Sequence, residues 1–407
     1  MNTIAESYVK LILQVGFYDA DFVDAYYGPS EWKPAEPAGE KNDHLKNLEE
    51  QAVKLAGKLS TFENSDLMEM DRLRFQFLSK QLTAIRAKIQ MLLGRRFTFD
   101  EESKLLYDAV APTYPKELFE KTMKELDNEL PGNGSVSGRL EEFKKTFIIP
   151  KDKLDNVFQA AIREGRERTQ KYIPLPDNES FVVEYVTNKA WSGYNWYKGG
   201  AFSLIQINTD LPIYIDRAVD LACHEGYPGH HVFNSLLEKH LVRDRKWFEF
   251  TAYALFSPQS LIAEGTANFG IEIALPSDER VDFEKNILFP LAGMPGDQAE
   301  KYYRVHALVS KLAYAGNEAA RGYLNGKMSK DEAVNWLVEY GLYARERAEQ
   351  RIKFIEKYRS YVINYNLGQD MVKNFIEKNG GTPDKPDKRW SIFTKLISTP
   401  QTPSGLV

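Results

Sequence analysis

The chain predicts a mainly α protein of the α+β type, with a small β-sheet just ahead of a histidine-bearing helix. Three observations carry this. Apolar residues recur every three or four positions through most of the 407 residues. Two short β-branched runs interrupt that period, at Ser180–Val186 and Ala201–Thr209. After Pro212 the helical period returns and leads into "DLACHEGYPGHHVF", Asp220 to Phe233, which holds three of the six histidines.

Asp66 to Arg96 has no proline and one apolar stripe, so it predicts a long amphipathic helix. In "PKELFEKTMKELDNEL", Pro115 suits a first helical turn. "PGNGSVSG", Pro131 to Gly138, is dense in turn residues. It marks an expected boundary between an N-terminal helical subdomain, 1–135, and a catalytic region, 136–407, unless the two form one domain with a central cleft. Its glycines do not make a phosphate loop, because Ser137 stands where a third glycine is needed and the segment follows a helix. Between the strand runs, "WSGYNWYKGG" reads as an aromatic, glycine-rich functional loop.

Composition excludes some functions. Hydrophobic residues make up 43% of the chain, enough for a large core. The net charge is −5 with no basic block, so neither nucleic acid nor an anionic membrane is an expected partner. A lone Cys223 rules out an intrachain disulfide. Glu6 and Lys10 interrupt the apolar start, and no apolar run approaches the roughly 18 residues of a membrane span. A cytoplasmic location is expected, and the oligomeric state is left open.

The chemistry sits at "HEGYPGHH". His-Glu opens the H-E-x-x-H signature, in which histidines one turn apart hold Zn²⁺ and the glutamate serves as general base. Here Pro228 occupies the fourth position after His224. His231 shares the face of His224, but two turns on, about 10 Å along a regular axis. One zinc with bonds of about 2.1 Å cannot bridge that. Pro228 removes an N–H and clashes with the carbonyl four residues back, and Gly229 admits dihedrals that other residues avoid. A bulge there would absorb two residues and bring His230 to the position of the second ligand, with His231 a supporting donor or the alternative ligand. The plainer reading is a helix C-terminus with histidines at its favoured end.

A third ligand is sought on a later helix, and "SPQSLIAEGTANFGIEIAL" supplies Glu264. Ser257 is a suitable cap and Pro258 a suitable first residue. Asn268, one turn on, is placed to orient a ligand from behind. Asp220, one turn before His224, could do the same or be an ordinary polar-face residue.

At these residues the chain resembles a bacterial family long known only as a domain of unknown function, which carries H-E-x-x-P-G-H-H and is grouped with the gluzincin, thermolysin-like zinc peptidases. "FVDAYYGPSEW", "YKGGAFSLIQINTDLP" and "AEGTANFG" resemble further stretches of it. The resemblance implies a helical gluzincin-type fold. It implies zinc held by His224, His230 and Glu264, with Glu225 as base. Related H-E-x-x-G-H peptidases favour His230 over His231. "YNLG" resembles the family's Tyr-x-x-Gly and puts Tyr365 in the active site. The chain departs from the family in carrying "RSYVINY" where relatives have Pro-Gly-Gln before that tyrosine. It also has "AYAGN" nearest to where many have Asp-Thr-Gly-x-His.

The function so implied is a zinc-dependent metallopeptidase of carboxypeptidase or oligopeptidase type. The alternatives are a zinc hydrolase of a non-peptide amide or ester, and an inactive helical binding protein. Oxyanion donors are sought in Tyr365 and in "KYYRVH", Lys301 to His306. By analogy with gluzincins, "FSLIQINT" is the edge strand that grips an extended peptide. Gln206, Asn208 and Tyr197 are then candidate substrate contacts.

Overall fold

The computed structural model describes residues 1–37, 39–189 and 191–407. Helix α1 (Asn2–Val15) leads into a short strand β1 (Val23–Tyr26), then α2 (Lys41–Ser60) and α3 (Glu69–Leu92). These three helices pack together through stripes such as Leu78, Leu82, Ile85 and Ile89 of α3, all buried. The long helix expected over 66–96 is therefore present, trimmed at each end. Helix α4 (Phe99–Tyr107) opens with a capping box between Thr98 and Glu101. Pro115 stands just before α5 (Lys116–Glu129), at its N-cap and not in its first turn. The turn-rich loop stops at Ser135, whose hydroxyl accepts from Gly138 N to cap α6 (Val136–Lys145). Helix α7 (Leu154–Gln170) follows.

The sheet comes next, with strands β2 (Ser180–Val186), β3 (Gly193–Tyr197) and β4 (Phe202–Asn208) in the order β2-β4-β3. Strand β2 is parallel to β4, and β3 is antiparallel to it. Ser203, Ile205 and Ile207 of β4 point inward and are buried, as period-two alternation requires. Two expectations change here. The stretch read as a loop contains strand β3, because Gly199, Gly200 and Ala201, all with positive φ, fold Gly193–Tyr197 back on β4. Strand β4 is the central strand with both edges paired, so it has no free edge with which to grip a peptide. The edge strands are β2 and β3.

Helices α8 (Asp216–Leu221) and α9 (His230–Leu237) carry the histidine segment. Strand β5 (Ala252–Ala254) pairs antiparallel with β1, a two-stranded sheet too short for the sequence to announce. Helix α10 (Pro258–Ala274) is apolar nearly all round and buried along almost its whole length, which makes it the central helix. Pro258 sits in its first turn as expected, whereas the Ser257 hydroxyl donates to Ala254 O (2.7 Å) and caps nothing. The α-helices that follow are α11 (Ser277–Phe283), α12 (Phe289–Ala292), α13 (Ala299–Ser310), α14 (Ala315–Leu324), α15 (Lys330–Tyr340), α16 (Arg345–Tyr358), α17 (Ile363–Lys378) and α18 (Pro386–Ile397), of which α17 and α18 pack on α10. One apolar core contains residues from Ile4 to Leu406, and so from both sides of residue 135. No helix among the described residues is long and apolar enough to cross a membrane.

Candidate metal centre

The backbone between His224 and His230 is not a regular helix. After α8 it widens into a π-helical turn over Ala222–Gly226. Tyr227 N then reaches Ala222 O (3.1 Å) and Gly229 N reaches Cys223 O (2.9 Å) before α9 begins. Gly229 has a negative φ of −74°, so left-handed freedom is not what it contributes. It contributes the lack of a side chain: a Cβ there would lie 1.9 Å from His224 O and 2.4 Å from Cys223 O. The chain folds this tightly on itself, and His230 comes back over His224. Their Nε2 atoms are 3.1 Å apart, with the rings nearly perpendicular at 89°.

Glu264, on the central helix, completes the group. Its Oε2 lies 3.3 Å from His224 Nε2 and 3.8 Å from His230 Nε2. Its Oε1 accepts a hydrogen bond from the Tyr361 hydroxyl (2.9 Å), while Oε2 is buried with no hydrogen bond. Asn268 settles the state of His224. Its amide nitrogen donates to Tyr365 O (3.1 Å), which leaves its oxygen to accept from His224 Nδ1 (2.9 Å). A proton therefore sits on His224 Nδ1, so Nε2 is the nitrogen that faces His230 and Glu264 and would offer its lone pair to a bound cation. Two nitrogens and a carboxylate oxygen pointed at one another need positive charge between them. Tetrahedral zinc with bonds of about 2.1 Å sets neighbouring ligand atoms roughly 3.4 Å apart, which the three spacings found here bracket. The residues present fit such an ion. Side-chain exposures of 14% for His224, 16% for His230 and 10% for Glu264 leave the group partly open to solvent.

Electrostatics around the group are polarised. Burial would pull His224 down, but the carboxylates of Glu264 and Glu225 outweigh it and hold the imidazole up at about 8. His230 is pushed down to about 4 by burial and by His224. Glu264, despite burial, is held below the ordinary carboxylate range by the two imidazoles and by Tyr361. Burial pushes the neighbouring Glu225 carboxyl up to about 7, against the pull of His224. Glu225 lies against strand β3: Asn195 Nδ2 donates to its backbone carbonyl (2.7 Å), and a Cβ on Gly193 would stand 3.0 Å from its Oε1.

Other residues singled out from sequence lie elsewhere. His231 points away from His224, with Nδ1 on Ser203 Oγ (2.8 Å) and Nε2 on Glu179 Oε2 (3.0 Å). Asp220 pairs with Arg217 (3.1 Å) and Arg280 (2.9 Å), not with a ligand imidazole. With Asp216 and His306 it forms a second cluster, against which Arg217 and Arg280 are already paired. Gln206 bridges Trp196 and Glu184, and Asn208 holds the backbone carbonyls of Lys189 and Trp191. The Tyr197 hydroxyl is buried on Glu238. All three spend their polar atoms inside the protein. The "KYYRVH" donors are likewise engaged: Tyr302 with Asp216, Tyr303 with Glu284, Arg304 with Glu129 and His306 with Asp216. Tyr365 is different. Burial first, and the charges of Glu264 and Glu225 after it, hold its phenol well above the usual range, so it stays protonated.

Sequence reasoning missed Tyr361. It lies one turn before Tyr365, and that spacing was the signal available. The stretches holding Asp24 and Tyr194 were singled out but not these two residues, whose hydrogen bond joins positions 170 apart.

No known family profile matches the chain, and no curated protein does. Among solved structures, a provisionally named lipoprotein from Colwellia psychrerythraea is 14% identical, with a TM-score of 0.49 over 90% of this chain and 70% of that one. A similarly named protein of unknown function from Shewanella oneidensis is 14% identical, with a TM-score of 0.47 over 90% and 74%. The M32 carboxypeptidase of Deinococcus radiodurans R1 is 12% identical, with a TM-score of 0.46 over 100% and 96%. Likeness at this level does not carry a function from one protein to another.

Proposed function

We propose that this chain is a zinc-dependent peptidase of the H-E-x-x-P-G-H-H type. The observation that carries the reading is the convergence of His224 Nε2, His230 Nε2 and the unpaired Oε2 of Glu264 within 3.1–3.8 Å. Zinc held there would act as a Lewis acid and acidify water at neutral pH.

The remaining work falls to the chain's own residues. Glu225, with its carboxyl at about 7, is matched to take a proton from water and return it to the departing amine. Tyr365 keeps its proton and can donate to an oxyanion in the cleft. Asn268 fixes the ring of His224, and Tyr361 fixes the carboxylate of Glu264.

The test is metal content and hydrolysis measured together. Purified protein should hold one zinc per chain, and His224→Ala, His230→Ala and Glu264→Ala should each lose it. Glu225→Gln should keep zinc and lose at least about 100-fold in peptide hydrolysis. Zinc with hydrolysis of esters or amides but never of peptides would shift the reading to a non-peptide hydrolase. Absence of zinc would sink it.

A further inference from the structure

Strand β1 carries a bulge. Val23 pairs with Ala254 and Ala25 with Tyr253, so the register shifts across Asp24. Such bulges re-aim a side chain and recur beside functional sites. Here the re-aimed group is a carboxylate, and its Oδ1 accepts a hydrogen bond from the hydroxyl of Tyr194 on strand β3. Among the described residues its Oδ2 makes no side-chain hydrogen bond, and no lysine, arginine or histidine pairs with it. Burial pushes this carboxyl up to about 6, against the Tyr194 bond and with the Glu264 charge adding, so at neutral pH it is an anion without a counterion.

Its neighbours are aromatic. Tyr194 packs on Trp191 and Trp196, with centroids 5.4 and 4.5 Å away. Tyr253 lies where the charges of both Asp24 and Glu264 reach it. The Asp24 charge also reaches Glu225. Tyr194, which holds Asp24, adjoins Gly193 on β3, where a Cβ would stand 3.0 Å from Glu225 Oε1, so β3 links Asp24 to the residue beside the metal centre. A half-buried carboxylate with one oxygen outside the Tyr194 bond, at the edge of the Trp191–Tyr194–Trp196 cluster, suits a compact organic cation.

We propose that Asp24, held by Tyr194, determines specificity by binding an alkylammonium group of the substrate: the free N-terminal amine of a short peptide, or a lysine side chain near the cleaved bond. This rests on the peptidase reading given above. Strand β3, which carries Tyr194 and packs on Glu225 through Gly193, ties the cation position to the reacting centre.

The test uses three matched short peptides: one with a free amine, its N-acetylated form, and the acetylated form with lysine at the first position. Binding is measured calorimetrically to zinc-loaded Glu225→Gln protein, and kcat/KM is measured on the zinc-loaded wild type. The free-amine peptide should bind at least about tenfold more tightly than its acetylated form. Asp24→Asn in the same background should erase that difference. Recovery of affinity by the lysine peptide alone would assign the cation to a side chain. Equal binding of all three peptides, or a preference that survives Asp24→Asn, overturns the proposal. The wild-type peptide series decides the matter even if Asp24→Asn does not fold. An amine preference without any hydrolysis would keep Asp24 and remove the peptidase, and hydrolysis without preference would do the reverse.

Discussion

Gly265 of α10 and Gly368 of α17 cross with their backbones in contact. A Cβ on Gly265 would stand 2.4 Å from Gly368 O, and one on Gly368 would stand 2.7 Å from Leu261 O. The two helices can approach this closely only where neither has a side chain. The crossing sets Glu264 and Asn268 of one helix against Tyr361, just before the other, and Tyr365 in its first turn.

Gly265→Ala should therefore destabilise the fold by at least about 2 kcal/mol, since backbone on both sides cannot yield. Urea unfolding followed by circular dichroism measures this. Gly57→Ala is the control. Nothing lies within 4 Å of a Cβ there, and the helix should gain up to about 1 kcal/mol. Equal effects at the two positions would show that the helices do not cross as described.

Gly229→Ala attacks the metal centre through the backbone alone. Its new methyl group would meet the carbonyls of His224 and Cys223, so the turn that returns His230 over His224 must open. The expected result is loss of bound zinc with no donor atom removed, read by metal analysis of folded protein. Stoichiometric zinc in this variant would contradict the geometry.

Asn268→Ala removes the acceptor that keeps the His224 proton on Nδ1. Zinc affinity should fall about 10- to 100-fold, measured by competition with a chelator, while the fold persists. His231→Ala, which takes away a ring facing Glu179, should instead lower stability and leave one zinc bound.

Glu179 gives a pH-dependent prediction. Burial would raise its carboxyl, but His231, Tyr227 and Arg166 outweigh that and hold it at about 2. The folded value lies below the unfolded one, near 4.3. Its contribution is therefore complete above about pH 4.5 and is lost as pH falls toward 2. Glu179→Gln should cost on the order of 2–3 kcal/mol at pH 7 and progressively less below pH 4. A penalty that does not change with pH would remove charge from the explanation.

How much of this was legible beforehand follows from the range of each interaction. The long helix over residues 66–96, the two β-branched strands and the helix opening at Pro258 were readable, because each depends on a local period or on a proline in a first turn. Strand β3 was hidden by its own composition: glycine and aromatic residues read as a loop until β4 is there to pair with them. The place of β4 in the centre of its sheet was equally invisible, since strand order is a property of partners and not of the strand.

For the candidate site, the linear chain determined the inventory. It supplied two histidines and a glutamate of the right chemistry, a Pro-Gly break between the imidazoles, and a further carboxylate on a buried helix. Tertiary structure decided which of them meet. It turned His230 toward His224 and His231 away, paired Asn268 with an imidazole, and set Tyr361 and Asp24 beside a group far from them in sequence. The reason is that helix periodicity carries information over a few turns only. A spacing of about 3 Å between side chains from separate helices is set by how closely backbones can pack, here by glycines whose missing side chains matter only once another chain segment lies against them.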